Sequence, residues 1–174
     1  MDGTMKNIVL IGMPGTGKSV VGRALADRLG YTFVDVDDLI VADTGKTLPQ
    51  ILRTEGLDAF LKIEARVGAA LTCEDTVIAT GGSLVLSDEA MEHLKENGVV
   101  VWLETPIGKI SDRMPEDLTD RGIAAPSGMT IREIYEHRIP MYAKHADLIV
   151  ASKAGEDNTA QQVEDIMRTV GIEL

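Results

Sequence analysis

Residues 12–19 read Gly-Met-Pro-Gly-Thr-Gly-Lys-Ser, and these types at this spacing form a loop able to hold a polyphosphate. Glycines let backbone N–H groups turn inward and approach phosphate oxygens with no Cβ in the way. Lys18 can place a point charge on the β- and γ-phosphates, and the Ser19 hydroxyl can ligate Mg²⁺. An apolar run, Asn7 to Ile11, leads into the loop, and a helical stretch from Val20 to Leu29 leaves it. A helix starting there adds unpaired donors and a partial positive charge. Gly15, Thr16, Gly17, Lys18, Ser19 and Val20 are therefore the expected binding set for ATP with Mg²⁺.

A second group is acidic. Asp35-Val36-Asp37-Asp38 closes another apolar run, at the kind of strand end where open α/β sheets bind ligands. Alternation along a strand would point Asp35 and Asp37 the same way. One can then hold a Mg²⁺-bound water while the other accepts a hydrogen bond from a substrate hydroxyl, a pairing suited to phosphoryl transfer to an alcohol. The alternative is that one of them caps the following helix. The run at 76–80 ends in Ala79-Thr80-Gly81-Gly82 without a terminal aspartate, which leaves Asp35 and Asp37 as the metal-side candidates. Gly81 and Gly82 permit close backbone approach to a ligand, or simply make a tight turn. No Asn-Lys-x-Asp segment able to read guanine is present.

Transfer of a γ-phosphoryl group also needs cations on the developing charge. Arg113, Arg121 and Arg138 are the candidates. Arg121 lies in residues 114–129, a stretch with Pro115, Gly122, Pro126 and Gly128 and few large apolar side chains, read as a lid. Arg138 lies in a helical pattern two residues before Pro140, which should kink the helix. His93, His137 and His145 have no metal-ligand spacing and read as surface or packing residues.

The elements that must position these groups alternate. Short apolar runs at 7–12, 32–36, 76–80, 98–103 and 147–151 are separated by helical stretches near 17–29, 36–44, 47–53, 57–72, 87–96, 105–114, 130–144 and 158–170. Continuous β-branched runs are strands buried on both faces. Strands alternating with helices imply an α/β, three-layer αβα architecture with a parallel sheet and right-handed crossovers. The 174 residues fit one domain.

Composition narrows the function classes. A net charge of −11 opposes binding to nucleic acid or to anionic lipid. No run approaches the length of a membrane span, and no signal peptide is read at the N-terminus. The one cysteine, Cys73, forms no intramolecular disulfide and fits a reducing cytoplasm. A monomer is expected.

Together these residues make a chain that resembles the shikimate kinase family over roughly residues 6 to 170. The matching segments are 12–19, 22–30 (GRALADRLG), 33–37 (FVDVD), Thr54-Glu55-Gly56 through Phe60 to Ile63-Glu64, 79–82, 100–104 (VVWLE), Arg113, Arg121 and Arg138-x-Pro140-x-Tyr142. The resemblance implies a P-loop kinase fold with sheet order 2-3-1-4-5, substrate-binding helices near 36–60 and a lid. It implies transfer of the ATP γ-phosphate to the 3-hydroxyl of shikimate, a step in aromatic amino acid biosynthesis. On the matching positions it makes Lys18 and Ser19 the phosphate and Mg²⁺ residues and Asp35 the metal-side aspartate. Asp37 becomes the hydroxyl-binding residue and a candidate base, with Gly81 and Gly82 on the substrate side. Arg121 would meet the ATP phosphates, Arg138 the shikimate carboxylate and Arg113 the adenine.

The chain departs from the family pattern in three places. Leu61 stands where the family has an arginine that forms half of the carboxylate clamp. Lys62 next to it lies about 100° round the helix and is no replacement. Gly122-Ile123 replaces proline-leucine after the lid arginine, and Ser83 replaces the third glycine after Gly81-Gly82. The nucleotide half of the site is intact and the acceptor half is altered. A changed hydroxylated acceptor, or a nucleotide-binding switch without turnover, therefore remains open beside shikimate phosphorylation.

Overall fold

The computed structural model describes residues 6–111, 118–119, 121–126, 128–152 and 158–171. Its strands are Asn7–Ile11 (β1), Thr32–Asp35 (β2), Thr76–Ala79 (β3), Gly98–Glu104 (β4) and Leu148–Ala151 (β5). Its helices are Lys18–Leu29 (α1), Val36–Thr44 (α2), Leu48–Thr54 (α3), Leu57–Ala70 (α4), Asp88–Glu96 (α5), Ile107–Ser111 (α6), Ile131–His145 (α7) and Thr159–Val170 (α8). A 3₁₀ turn, Leu84–Leu86, follows β3.

All strand pairs are parallel, and the sheet order is β2-β3-β1-β4-β5. This is the order and the layering expected from the sequence. β1 lies at the centre and is buried at every residue. Its side chains alternate between two cores: Ile8 and Leu10 enter the one shared with α1 and α8, Val9 and Ile11 the one under α2, α4, α5 and α7. Burying each such side chain contributes about 1.5–3 kcal/mol, so the strand that carries the phosphate loop is firmly held. With few aromatics available, the second core is completed by Trp102 and Tyr142, whose ring centroids are 5.7 Å apart.

Local chemistry fixes the ends of the elements around the cleft. Gly17 takes a left-handed φ of 86° at the start of α1 and offers no side-chain cap, so the first-turn N–H groups stay open to a ligand. α3 and α7 each start with a capping box, Thr47 with Gln50 and Thr130 with Glu133. α1 lies close on β2: a Cβ at Gly22 would stand 2.7 Å from Phe33 Cε1, and the Arg23 guanidinium lies 4.7 Å over the Phe33 ring.

One expectation is corrected here. Asp35 and Asp37 do not share a strand face, because the helix begins at Val36 and Asp37 lies in its first turn. The helix wins because Asp35 Oδ1 accepts the Asp37 N–H at 2.9 Å and so caps it.

Candidate active site

The phosphate loop is closed on itself. Lys18 is buried, and its Nζ donates to the carbonyls of Gly12 at 2.7 Å and Met13 at 2.8 Å. Burial lowers its pKa to about 8, with Arg138 pushing the same way and Asp37 and Asp35 opposing. The Thr16 Oγ1 is buried without a hydrogen-bond partner among the described residues, and the Thr16 carbonyl accepts from the Ser152 hydroxyl at 3.3 Å. Open helix-terminal donors, a buried ammonium and an orphaned hydroxyl fit a polyphosphate.

Asp35 is the helix cap that the sequence offered as one alternative, and it also meets Ser19. It caps α2 through Oδ1, and its Oδ2 accepts from the Ser19 hydroxyl at 2.6 Å. The cap fixes the carboxylate, and Ser19 and Asp35 then present hard oxygens side by side. Among the described residues no group of three or more His, Cys, Asp or Glu is placed to hold a metal. The Ser19 and Asp35 oxygens fit Mg²⁺, which binds through one or two protein oxygens together with substrate phosphates and water.

A cavity of about 320 Å³ opens above the loop. Gly15, Gly17, Lys18, Ser19 and the exposed Val20 line its nucleotide side; Asp37, Gly81, Gly82 and Arg138 line the other, with Arg121 at the edge. Thus every expected site residue except three reaches this one space. Thr16 and Asp35 stand behind it, and Arg113 lies outside the described residues.

Asp37 has its pKa raised to about 6, first by burial and then by Asp35, with Lys18 opposing. Arg138 is only 3% exposed and donates to the Ala124 carbonyl. Ala124 and Ile123 are themselves buried, and the left-handed Gly122 packs on Leu48 of α3. The described part of the 114–129 segment is therefore seated against α3 and α7, with Arg121 beside the seat.

Three contributors were not singled out as site residues by sequence reasoning. Tyr142 is fully buried, and its hydroxyl donates to the Gly82 carbonyl at 2.8 Å, fixing the glycine turn. Burial pushes its pKa up to about 12. Glu64 and Ser83 line the cavity, and the Ser83 hydroxyl donates to Glu64 Oε1 at 2.6 Å. Leu61 does not line this cavity; it borders a neighbouring one of about 240 Å³ together with Glu64 and Ser83. Of the histidines, His145 is buried and pairs with Asp88 at 2.8 Å, while His93 meets the Leu71 carbonyl at 2.6 Å.

Comparison with known proteins settles the lineage. The family model for shikimate kinase matches residues 14–170. The chain belongs to the shikimate kinase family. It is 37% identical over 150 residues to the shikimate kinase of Persephonella marina, covering 86% of this chain and 90% of that one. Among solved structures, shikimate kinase from Acinetobacter baumannii in complex with shikimate superposes with a TM-score of 0.84 at 32% identity, covering 96% of this chain and 93% of that one. The protein is accordingly an ATP-dependent kinase. The family module also occurs inside a longer protein: threonine synthase-like 1 of Mus musculus is 34% identical over 166 residues, which is 94% of this chain but 22% of that protein. No helix among the described residues is long and apolar enough to cross a membrane.

Proposed function

We propose that the protein transfers the γ-phosphoryl group of ATP to the 3-hydroxyl of shikimate, working as a single-domain monomer in the cytoplasm. The observation that carries this reading is one cavity lined on one side by the phosphate loop and on the other by Asp37 and Arg138, in a family whose Acinetobacter baumannii member is solved with shikimate.

In this reading the backbone of Gly15 to Val20 cradles the phosphates, and Lys18 leaves its two carbonyl partners to meet the β- and γ-oxygens. Ser19 and Asp35 hold Mg²⁺, which when bound neutralises charge on the phosphates. Asp37 orients the attacking hydroxyl and receives its proton as the oxygen–phosphorus bond forms and the bond to the ADP oxygen breaks. Its raised pKa brings it closer to the range of a useful base than an ordinary aspartate. Gly81 and Gly82 let the acceptor approach the backbone, and Arg138 binds its carboxylate. The 114–129 segment acts as the lid that brings Arg121 onto the phosphates, and Arg113 stacks on the adenine.

A second reading, a changed hydroxylated acceptor, is supported by the departures at Leu61 and Ser83; with Leu61 in place of the family's arginine, Arg138 is the one arginine among the described residues on the acceptor side of the cavity. The deciding experiment is ADP release with ATP–Mg²⁺ and shikimate, beside a panel of polyol acids and amino alcohols. Shikimate is expected to stimulate release and to yield a monophosphate by mass. Stimulation by another panel member alone would favour the second reading, and none from any would leave a nucleotide-binding module without turnover.

A further inference from the structure

Tyr142 has no part in the mechanism above, yet its hydroxyl stands where the two halves of the cleft touch. It donates to the Gly82 carbonyl at 2.8 Å and lies 3.7 Å from Met13 Sδ. Gly82 belongs to the turn on the acceptor side, and Met13 to the phosphate loop. The two segments also meet directly. A Cβ built on Gly82 would stand 2.7 Å from Pro14 Cδ and 3.0 Å from Arg138 Nη1. One point therefore brings together the loop for the nucleotide, the turn that faces the acceptor and the arginine beside it.

The turn is weakly held by its own chain. Thr80 pins its start to β1, with N–H and hydroxyl on the Leu10 carbonyl at 3.2 and 2.8 Å. Two glycines follow, the residues least restrained in φ and ψ. The bond that closes the turn, from the Leu84 N–H to the Gly81 carbonyl, is long at 3.4 Å. The Tyr142 bond is much the shorter tie, and it comes from a side chain that is itself fixed, fully buried with its ring against Trp102. α7 gains from the same bond. Pro140 lies between Arg138 and Tyr142 and has no N–H for the Glu136 carbonyl, which weakens the helix at that point. Arg138 and Tyr142 are four residues apart and share the buried face. Anchoring Tyr142 on Gly82 therefore also sets how far the arginine's helix stands from the turn.

Positioning of this kind acts on rate more than on binding. In the reading proposed above, on which this rests, the acceptor lies on the turn and the γ-phosphate on the loop. In-line transfer needs the reacting atoms about 3–3.5 Å apart and aligned. A turn free to shift by about 1 Å admits both ligands but presents the hydroxyl off line, which can slow transfer by about a hundredfold. We infer that Tyr142 is a positioning residue for the transfer: its hydroxyl, bonded to the Gly82 carbonyl beside Met13 and Pro14, sets the acceptor turn at a fixed place against the phosphate loop.

The test is Tyr142→Phe, which removes the hydroxyl and keeps the ring on Trp102. Both KM values and kcat are measured by ADP release with ATP–Mg²⁺ and shikimate. Rates are expressed per titrated nucleotide-binding site, so that unfolded protein does not count. The variant is expected to lose about tenfold or more in kcat, with the KM for ATP and for shikimate within about twofold of the unaltered protein. An unchanged kcat overturns the inference, whether or not stability falls. So does a loss carried mainly by the shikimate KM, which would make the bond one of simple binding. If Tyr142→Phe does not fold, Pro14→Ala is read in the same way, since it removes the ring packed on Gly82 and leaves Tyr142 in place. Should shikimate not be turned over, the proposed substrate fails. The same comparison of kcat with KM, on whichever polyol acid or amino alcohol does stimulate ADP release, then decides the inference separately. No stimulation by any of them overturns it together with the acceptor site on which it rests.

Discussion

On the nucleotide side of the cleft, the groups placed to meet phosphate are the backbone of residues 12–19, the open end of α1 and one lysine. On the acceptor side they are the side chains of Asp37, Glu64 and Arg138, delivered by α2, α4 and α7. A backbone cradle presents the same N–H groups whatever side chains the loop carries, provided its glycines keep their conformations. A side-chain pocket changes chemistry with one substitution. The departures from the family pattern fall accordingly: none lies in the loop, while Leu61 and Ser83 both border Glu64.

The largest break of this contrast is Lys18→Ala. It removes the one side-chain cation of the loop and is expected to lower kcat by about a thousandfold or more, with an unchanged circular dichroism spectrum. Retained turnover would mean that the loop is not the phosphate site.

Glu64→Gln probes the acceptor side through stability. In the folded protein Glu64 has its pKa raised from 4.5 to about 7, so between those values the native state holds a proton that the unfolded chain has lost. Its contribution is therefore present at low pH and lost as pH rises through that window. Asp37, raised to about 6, has the same sign in both proteins. The variant should match the unaltered protein near pH 4 and exceed it near pH 8 by on the order of 3 kcal/mol, read from urea midpoints. Parallel pH curves for the two proteins would show that Glu64 ionises freely, without penalty.

Leu61→Arg sharpens the contrast from the other direction. An arginine at 61 would restore the family's charge to the acceptor side, and it should lower the KM for shikimate about tenfold while leaving the KM for ATP unchanged. No gain would indicate that Ser83 and Glu64 have rebuilt the pocket beyond the reach of one residue.

Much of this was legible in the chain. The five apolar runs became the five strands, with β1, β3 and most of β4 buried on both faces as expected, while the edge strands β2 and β5 are only partly buried. The loop was legible because its constraint is local, with glycines at turns and a lysine at a helix start. Asp35 was read correctly as a cap of the following helix, and its second oxygen meets the Ser19 hydroxyl. Glu64 was missed as a site residue because an acidic residue in an amphipathic stretch normally faces water. Its burial arises from the packing of α4 under the turn at residues 81–86, which joins residues far apart in sequence. Tyr142 was quoted as part of a pattern, but its bond to the Gly82 carbonyl depends on the approach of α7 to the end of β3, which no local spacing encodes.

The close seat of Gly22 on Phe33 has a consequence for covariation. Gly22 lies three residues after Ser19 on α1, and Phe33 two residues before Asp35 on β2, so this apolar contact sets the spacing at which hydroxyl and carboxylate meet. A methyl added at position 22 would collide with the ring and act as a wedge between helix and strand. Related chains should therefore change positions 22 and 33 together, larger against smaller, and a lone Gly22→Ala should register as weakened metal binding at a site that neither residue touches.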